Sequence, residues 1–250
     1  MTNPTQDAHT ARTDLKGRRV IVTGGTTGIG RAIAILLASE GARLFIFGRE
    51  ERPLNDALHA IRAVGDEAHG VTADVSKPED VERVFQAADE ALGGLDVLVN
   101  NAAIWGEALA EMEEWRYSIE TNLVGFMACA RAAVERLIQG QDGQMVFIGS
   151  VSAIQRGPDS SVYVAAKSGI QGFSHSFRKE VAKQGLRVTL IEPGLVGSDL
   201  VESSPAEQRE QIAAMKMLRA EDIAVGVHYA LTQPVRCNVV AMQIEPLHQE

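Results

Sequence analysis

Val20-Ile21-Val22-Thr23-Gly24-Gly25-Thr26-Thr27-Gly28-Ile29-Gly30 decides the fold of this chain. The three β-branched residues read as a strand, and Gly28 opens a helix that Ile33 to Ala38 continue. Between them, glycines let the backbone turn sharply and let a ligand approach it closely. The helix start then offers unpaired N–H groups and a partial positive charge to a pyrophosphate. Gly24, Thr26, Thr27, Gly28, Ile29 and Gly30 are the candidate phosphate contacts, although the two threonines can equally fill the turn. The spacing is G-x-x-x-G-x-G rather than G-x-G-x-x-G, so the reading rests on the loop's place between a first strand and a first helix.

Outward from that loop the same alternation repeats. Strands are expected over residues 44–47, 68–73, 95–99, 145–148, 188–191 and 239–244. Helices are expected over 53–64, 114–137, 162–183 and 220–231, with another starting at Pro78 and carrying an apolar stripe at Val81, Val84, Phe85 and Ala88. Residues 205–217 read as a polar, mobile helix. This rhythm implies a parallel sheet with helices on both faces. No linker, repeat or composition break divides the chain. The expectation is an α/β fold: a single doubly wound Rossmann domain over 16–250, with a central parallel sheet of about seven strands flanked by helices. Residues 1–15 are polar and are expected to form a disordered tail. Ligands of such sheets bind at the carboxyl ends of the strands.

The bulk numbers restrict the partners. The chain has 250 residues, 45% hydrophobic and 23% charged, enough to bury a core without staples. A formal net charge of -9 weighs against a nucleic-acid or anionic-membrane surface. No apolar run is long enough to span a membrane and no secretory signal opens the chain, so a cytoplasmic location is expected. Cys129 and Cys237 lie in apolar stretches and are expected to be buried free thiols. The histidines lack ligand spacing, so no metal is assigned.

The second strand ends Phe47-Gly48-Arg49-Glu50. A carboxylate near this position would bind the ribose 2′-hydroxyl of NAD. Here a glycine stands at the strand end and a guanidinium follows, which can hold a 2′-phosphate by bidentate hydrogen bonds. NADP(H) is therefore favoured over NAD(H). Glu50 could pair with Arg49 instead, and a solvated surface charge is the plain alternative.

Tyr163 and Lys167 lie four apart at the start of the second long helix and so share a face. A phenol with a pKa near 10 is a poor proton carrier at neutral pH, and a nearby ammonium favours its ionised form. The pair reads as a tuned acid and base. With three tyrosines in the chain, chance can supply such a pair. Its position strengthens it: the preceding strand ends Phe147-Ile148-Gly149-Ser150 and brings a hydroxyl to the same edge of the sheet.

Taken together, these motifs resemble the classical short-chain dehydrogenase/reductase family. The resemblance rests on Thr23 to Gly30, on Asp74-Val75, on Asn100-Asn101-Ala102, on Asn122, Ser150, Tyr163 and Lys167, and on Pro193-Gly194. It covers nearly everything after Lys16. It implies that Tyr163 is the general acid in reduction and the base in oxidation. Lys167 would lower the tyrosine's pKa and hold the nicotinamide ribose, Ser150 would bond the substrate oxygen, and Asn122 would hold a water relaying protons to Lys167. Asp74, Val75, Asn101 and Ala102 would border the adenine side, and Val196 and Ser198 the nicotinamide amide. Two positions depart: Ala103 replaces the usual glycine, and Ser198 replaces a threonine. The ending Ile244-Glu245-Pro246-Leu247 resembles the NADP-dependent 3-hydroxy acid and serine dehydrogenases.

The resulting expectation is an NADP(H)-dependent oxidoreductase acting on a carbonyl or secondary alcohol, as a homodimer or homotetramer. A dinucleotide sensor without turnover is the rival, and a lyase or isomerase using the same tyrosine is a third reading. Trp105 could line the substrate pocket or simply pack, Trp115 reads as a helix anchor, Ser152 as lining or structural, and Arg156 as exposed. Leu123, Phe126, Met127, Ile170, Phe173 and Phe177 give the two long helices apolar faces, which either pack on the sheet or pair subunits.

Overall fold

In β1 (Arg19–Thr23), Val20 and Val22 pack into one helical layer and Ile21 into the other, all of them buried. That alternation is the strand pleat, and burial on both faces is what a parallel strand between two helical layers requires. The computed structural model describes residues 13–106, 108–140, 142–157, 160–201 and 203–248. After β1 come α1 (Gly28–Ser39), β2 (Arg43–Gly48), α2 (Glu51–Arg62), β3 (Ala68–Thr72), α3 (Pro78–Leu92) and β4 (Val97–Asn100). Then follow α4 (Trp115–Ile119), a π-helical turn (Glu120–Gly125), α5 (Phe126–Gln139), β5 (Gln144–Ile148), α6 (Ser152–Gln155), α7 (Ser161–Val181) and β6 (Arg187–Pro193). The last elements are α8 (Pro205–Ala213), α9 (Ala220–Leu231) and β7 (Ala241–Ile244).

The strands form one seven-stranded parallel sheet in the order β3-β2-β1-β4-β5-β6-β7. This is the expected doubly wound architecture. Strand order reverses between β1 and β4, and that reversal opens a crevice beyond their carboxyl ends. On one face, Ile33 and Leu37 of α1, Ile61 of α2 and Ile223 of α9 cover Val20, Leu44 and Ile46. On the other, Phe85 of α3, Phe126 of α5 and Ile170 of α7 cover Ile21, Phe45 and Phe147. Each such side chain contributes roughly 1.5–3 kcal/mol by burial. Phe173 and Phe177 stack at 4.9 Å and continue that layer over Phe147. These two faces of α5 and α7 thus lie largely on the sheet, while Met127 and Val124 are exposed.

Several local expectations change. The helix over 114–137 is two helices joined by a π turn, because the side-chain amide of Asn122 clamps the backbone of Ile104 and the chain must widen there. The polar helix over 205–217 ends at Ala213, and Met217 beyond it is buried. Cys129 is buried as expected, but Cys237 is exposed in the loop between α9 and β7. Of the segment 1–15, residues 1–12 lie outside the described residues. Thr13 bonds to Thr232 and Gln233, and Leu15 is buried in the core. Trp115 is the first residue of α4, under the Arg116 guanidinium. Arg156 is exposed and donates to the Ala153 carbonyl. Among the described residues no helix is long and apolar enough to cross a membrane.

Candidate active site

The turn between β1 and α1 is built around backbone contact. Gly24 and Gly28 take the left-handed conformation, at φ 61° and 50°. A Cβ on Gly30 would collide with the Gly24 carbonyl, so the turn closes only on a bare backbone there. Asn101 Nδ2 donates to the carbonyls of Thr23 and Gly24 at 3.0 and 3.2 Å, and Thr23 Oγ1 accepts from the N–H groups of Asn101 and Ala102 at 2.8 Å each. β4 therefore holds the turn in place. Thr27, the residue before α1, makes no side-chain cap, and the first turn of the helix carries no acidic residue. The N–H groups of that turn are left for an anion.

One cleft of about 1690 Å³ runs along the carboxyl edge of the sheet. This exceeds the roughly 300–1,000 Å³ of ordinary small-molecule pockets and leaves room for a dinucleotide with a second ligand. Every expected cofactor and catalytic position lines it except Gly30 and Asn122, which stand behind the lining. Ser198 packs over Gly28, and Val196 is bridged to Leu218. Thr121 also lines the cleft, with a buried hydroxyl that has no hydrogen-bond partner among the described residues. A bare-backbone cradle, an uncapped helix start and an orphaned hydroxyl in one cleft fit a phosphate-bearing ligand that brings its own hydrogen-bonding groups.

At the other end of the cleft, Ser160 caps α7 by accepting from the Tyr163 N–H, which sets Tyr163 one turn into the helix. Lys167 Nζ donates to the Ile148 carbonyl at 3.0 Å and lies 5.5 Å from the centre of the Tyr163 ring. Ser150 donates to Ser152 Oγ at 3.0 Å and accepts from the Ser152 N–H at 3.1 Å, and its hydroxyl acts to lower the nearby Tyr163 phenol. Ser152 is thus the partner of Ser150. The Trp105 ring packs against Tyr163 with centroids 4.7 Å apart, so this tryptophan lines the cleft. Asn122 has its amide engaged by Ile104 and Ser118.

The electrostatics differ from the expectation. Burial pushes the Tyr163 phenol up to about 12, against the smaller lowering effect of Ser150. The ammonium does not reverse this in the chain alone, and burial lowers Lys167 itself to about 8. Unfolding would return that lysine to 10.5. The folded state therefore bears the full cost of a buried ammonium below pH about 8, and loses that cost as pH rises toward 10.5. Between pH ~7 and ~10, stability should rise by about 2–3 kcal/mol relative to Lys167→Met. Urea unfolding of both proteins measures this, and parallel pH dependences would contradict it.

At the β2 end of the cleft, Arg49 is exposed, and it forms no ion pair with Glu50, its possible alternative partner. Its guanidinium donates instead to Tyr117 Oη at 3.0 Å. Burial works to raise the Asp74 carboxyl, but hydrogen bonds from Ser76 and Tyr117 and the Arg49 charge outweigh it and hold the group below the usual range. Gly48 has no side chain to compete with Arg49; a Cβ there would meet Thr26. Tyr117, Thr121 and the Trp105 stack are the features sequence reasoning missed or left open. Only the adjacency of Thr121 to Asn122 could have pointed to one of them.

A family model described as short chain dehydrogenase matches residues 18–209. An uncharacterized oxidoreductase of Staphylococcus aureus (strain MRSA252) is 32% identical over 241 residues, covering 94% of this chain and 100% of that protein. The crystal structure of levodione reductase superposes with a TM-score of 0.84 at 27% identity, covering 92% of this chain and 97% of that one. A short chain dehydrogenase from Burkholderia cenocepacia J2315, solved in complex with NADP, gives 0.84 at 28% identity, covering 94% and 98%.

Proposed function

The chain belongs to the short-chain dehydrogenase family, whose members are NAD(P)-dependent oxidoreductases, and from that premise we propose that it interconverts a ketone and a secondary alcohol with NADP(H). The observation that carries the proposal is the convergence of Ser150, Tyr163 and Lys167 on one cleft with the phosphate turn. When bound, the nicotinamide would supply or accept the hydride. Gly24, Gly28 and Ile29 would hold its pyrophosphate at the start of α1, and Arg49 would hold the adenosine 2′-phosphate. Asp74, Val75, Asn101 and Ala102 would border the adenosine, and Pro193, Gly194, Val196 and Ser198 the nicotinamide.

The protein's own part is the proton and the charge. In reduction, Tyr163 Oη gives its proton to the carbonyl oxygen while Ser150 Oγ steadies the charge developing there. Burial raises the phenol and so works against giving up the proton, which leaves the phenolate that forms in need of a stabilising neighbour. In oxidation the same oxygen takes the proton back. Lys167, fixed on the Ile148 carbonyl, stabilises the phenolate while the proton is away. Asn122 acts through the loop it clamps at Ile104. The chain works as a homo-oligomer.

The test is the NADPH absorbance across a panel of ketones and 3-oxo acids, the acids included because of the C-terminal resemblance. The expected result is cofactor oxidation with at least one member, faster with NADPH than with NADH. Tight NADPH binding with no turnover on any of them would favour the sensor.

A further inference from the structure

A phenol stands between a cation and a carboxylate at the adenosine end of the cleft. Arg49 Nη1 donates to Tyr117 Oη at 3.0 Å, and Tyr117 Oη donates to Asp74 Oδ2 at 2.7 Å. The direction of this relay follows from chemistry: a guanidinium only donates, and an ionised carboxylate only accepts. The other carboxylate oxygen, Oδ1, takes the Ser76 N–H at 3.0 Å and the Ser76 hydroxyl at 2.8 Å. Asp74 is thereby fixed on both oxygens, and its Tyr117 bond fixes the phenol. The phenol in turn fixes one guanidinium nitrogen of an otherwise exposed arginine. Arg49 and Asp74 make no direct ion pair with each other.

We propose that Tyr117 is a positioning residue for cofactor selectivity, holding Arg49 beside Asp74 so that its other N–H groups are available to a phosphomonoester on the ligand ribose. The proposal rests on the NADP(H) reading above. An unheld arginine on this loop has two alternatives. It extends into solvent, or it falls onto Asp74 as an ion pair; either way it withdraws donors from the phosphate. Neither alternative touches the pyrophosphate contacts, and in both Ser76 still holds Asp74 through Oδ1. Loss of the phenol should therefore change the preference for a 2′-phosphate rather than binding in general.

The experiment is isothermal titration of the full chain with adenosine 2′,5′-bisphosphate and with 5′-AMP. Wild type is expected to bind the bisphosphate more tightly. Tyr117→Phe, which keeps the ring, should narrow that ratio about fivefold while 5′-AMP affinity stays within about twofold. Tyr117→Leu should narrow it as much, and carries the test if the Phe variant does not fold. A preference for the bisphosphate in wild type that persists undiminished in either folded variant overturns the role of Tyr117 and leaves the NADP(H) reading standing. No preference in wild type overturns that reading, and this proposal with it.

Discussion

Tyr163→Phe is expected to lower kcat by about 10³-fold, within the range of roughly 10²–10⁴ for a lost general acid, while dinucleotide affinity stays within about twofold. The substitution is narrow. The ring remains, with its packing against Trp105 at 4.7 Å and its place one turn into α7. Only Oη is lost, and with it the proton for the substrate oxygen. The Lys167 bond to the Ile148 carbonyl does not involve Oη, so the lysine should keep its position. Turnover under saturating NADPH, together with fluorescence titration of NADPH, separates the two effects. A Phe variant with normal binding and full turnover would move the proton to another residue.

Arg49→Asp should weaken NADPH binding about 10²-fold more than NADH binding. A hydrogen bond to a charged partner is worth roughly 1.5–3 kcal/mol, or about 10- to 100-fold, and the new carboxylate adds repulsion toward a phosphate. The same carboxylate can accept from a ribose hydroxyl, so NADH should lose little. The setting favours a clean outcome: Gly48 offers no competing side chain, and among the described residues Arg49 makes no ion pair and is held only by the neutral Tyr117 phenol. Dissociation constants for both cofactors, measured on both proteins, give the ratio. Equal losses for the two would remove Arg49 from the cofactor site.

The fold was legible because its signals are local. β4, β5 and β6 are buried at every residue and are centred on the apolar stretches Val97 to Val99, Met145 to Ile148 and Leu190 to Ile191, and the turn at Gly24 to Gly30 announces itself by glycines that the backbone geometry requires. The break at Glu120–Gly125 was not legible. The wider turn depends on Asn122 reaching Ile104, eighteen positions away along the chain, and the local sequence up to Thr121 reads as ordinary helix. The same division runs through the site. Ser150, Tyr163 and Lys167 could be read from spacing after a strand, whereas the Arg49–Tyr117–Asp74 relay joins three segments that only the sheet order brings together. Spacing also gave the wrong sign for Tyr163 in the chain alone. Four positions on a helix place an ammonium near the phenol, but only the packed structure reveals that both groups are buried and that burial raises the phenol and lowers the lysine.

The most direct test of hydride transfer uses NADPH deuterated at the nicotinamide carbon that gives up its hydrogen, with whichever ketone is reduced in the panel. Mass spectrometry of the alcohol should find one deuterium on the carbinol carbon, and the oxidised cofactor should be depleted of the label on that carbon. An alcohol formed without deuterium, or a product formed while the cofactor remains reduced and labelled, would contradict the account.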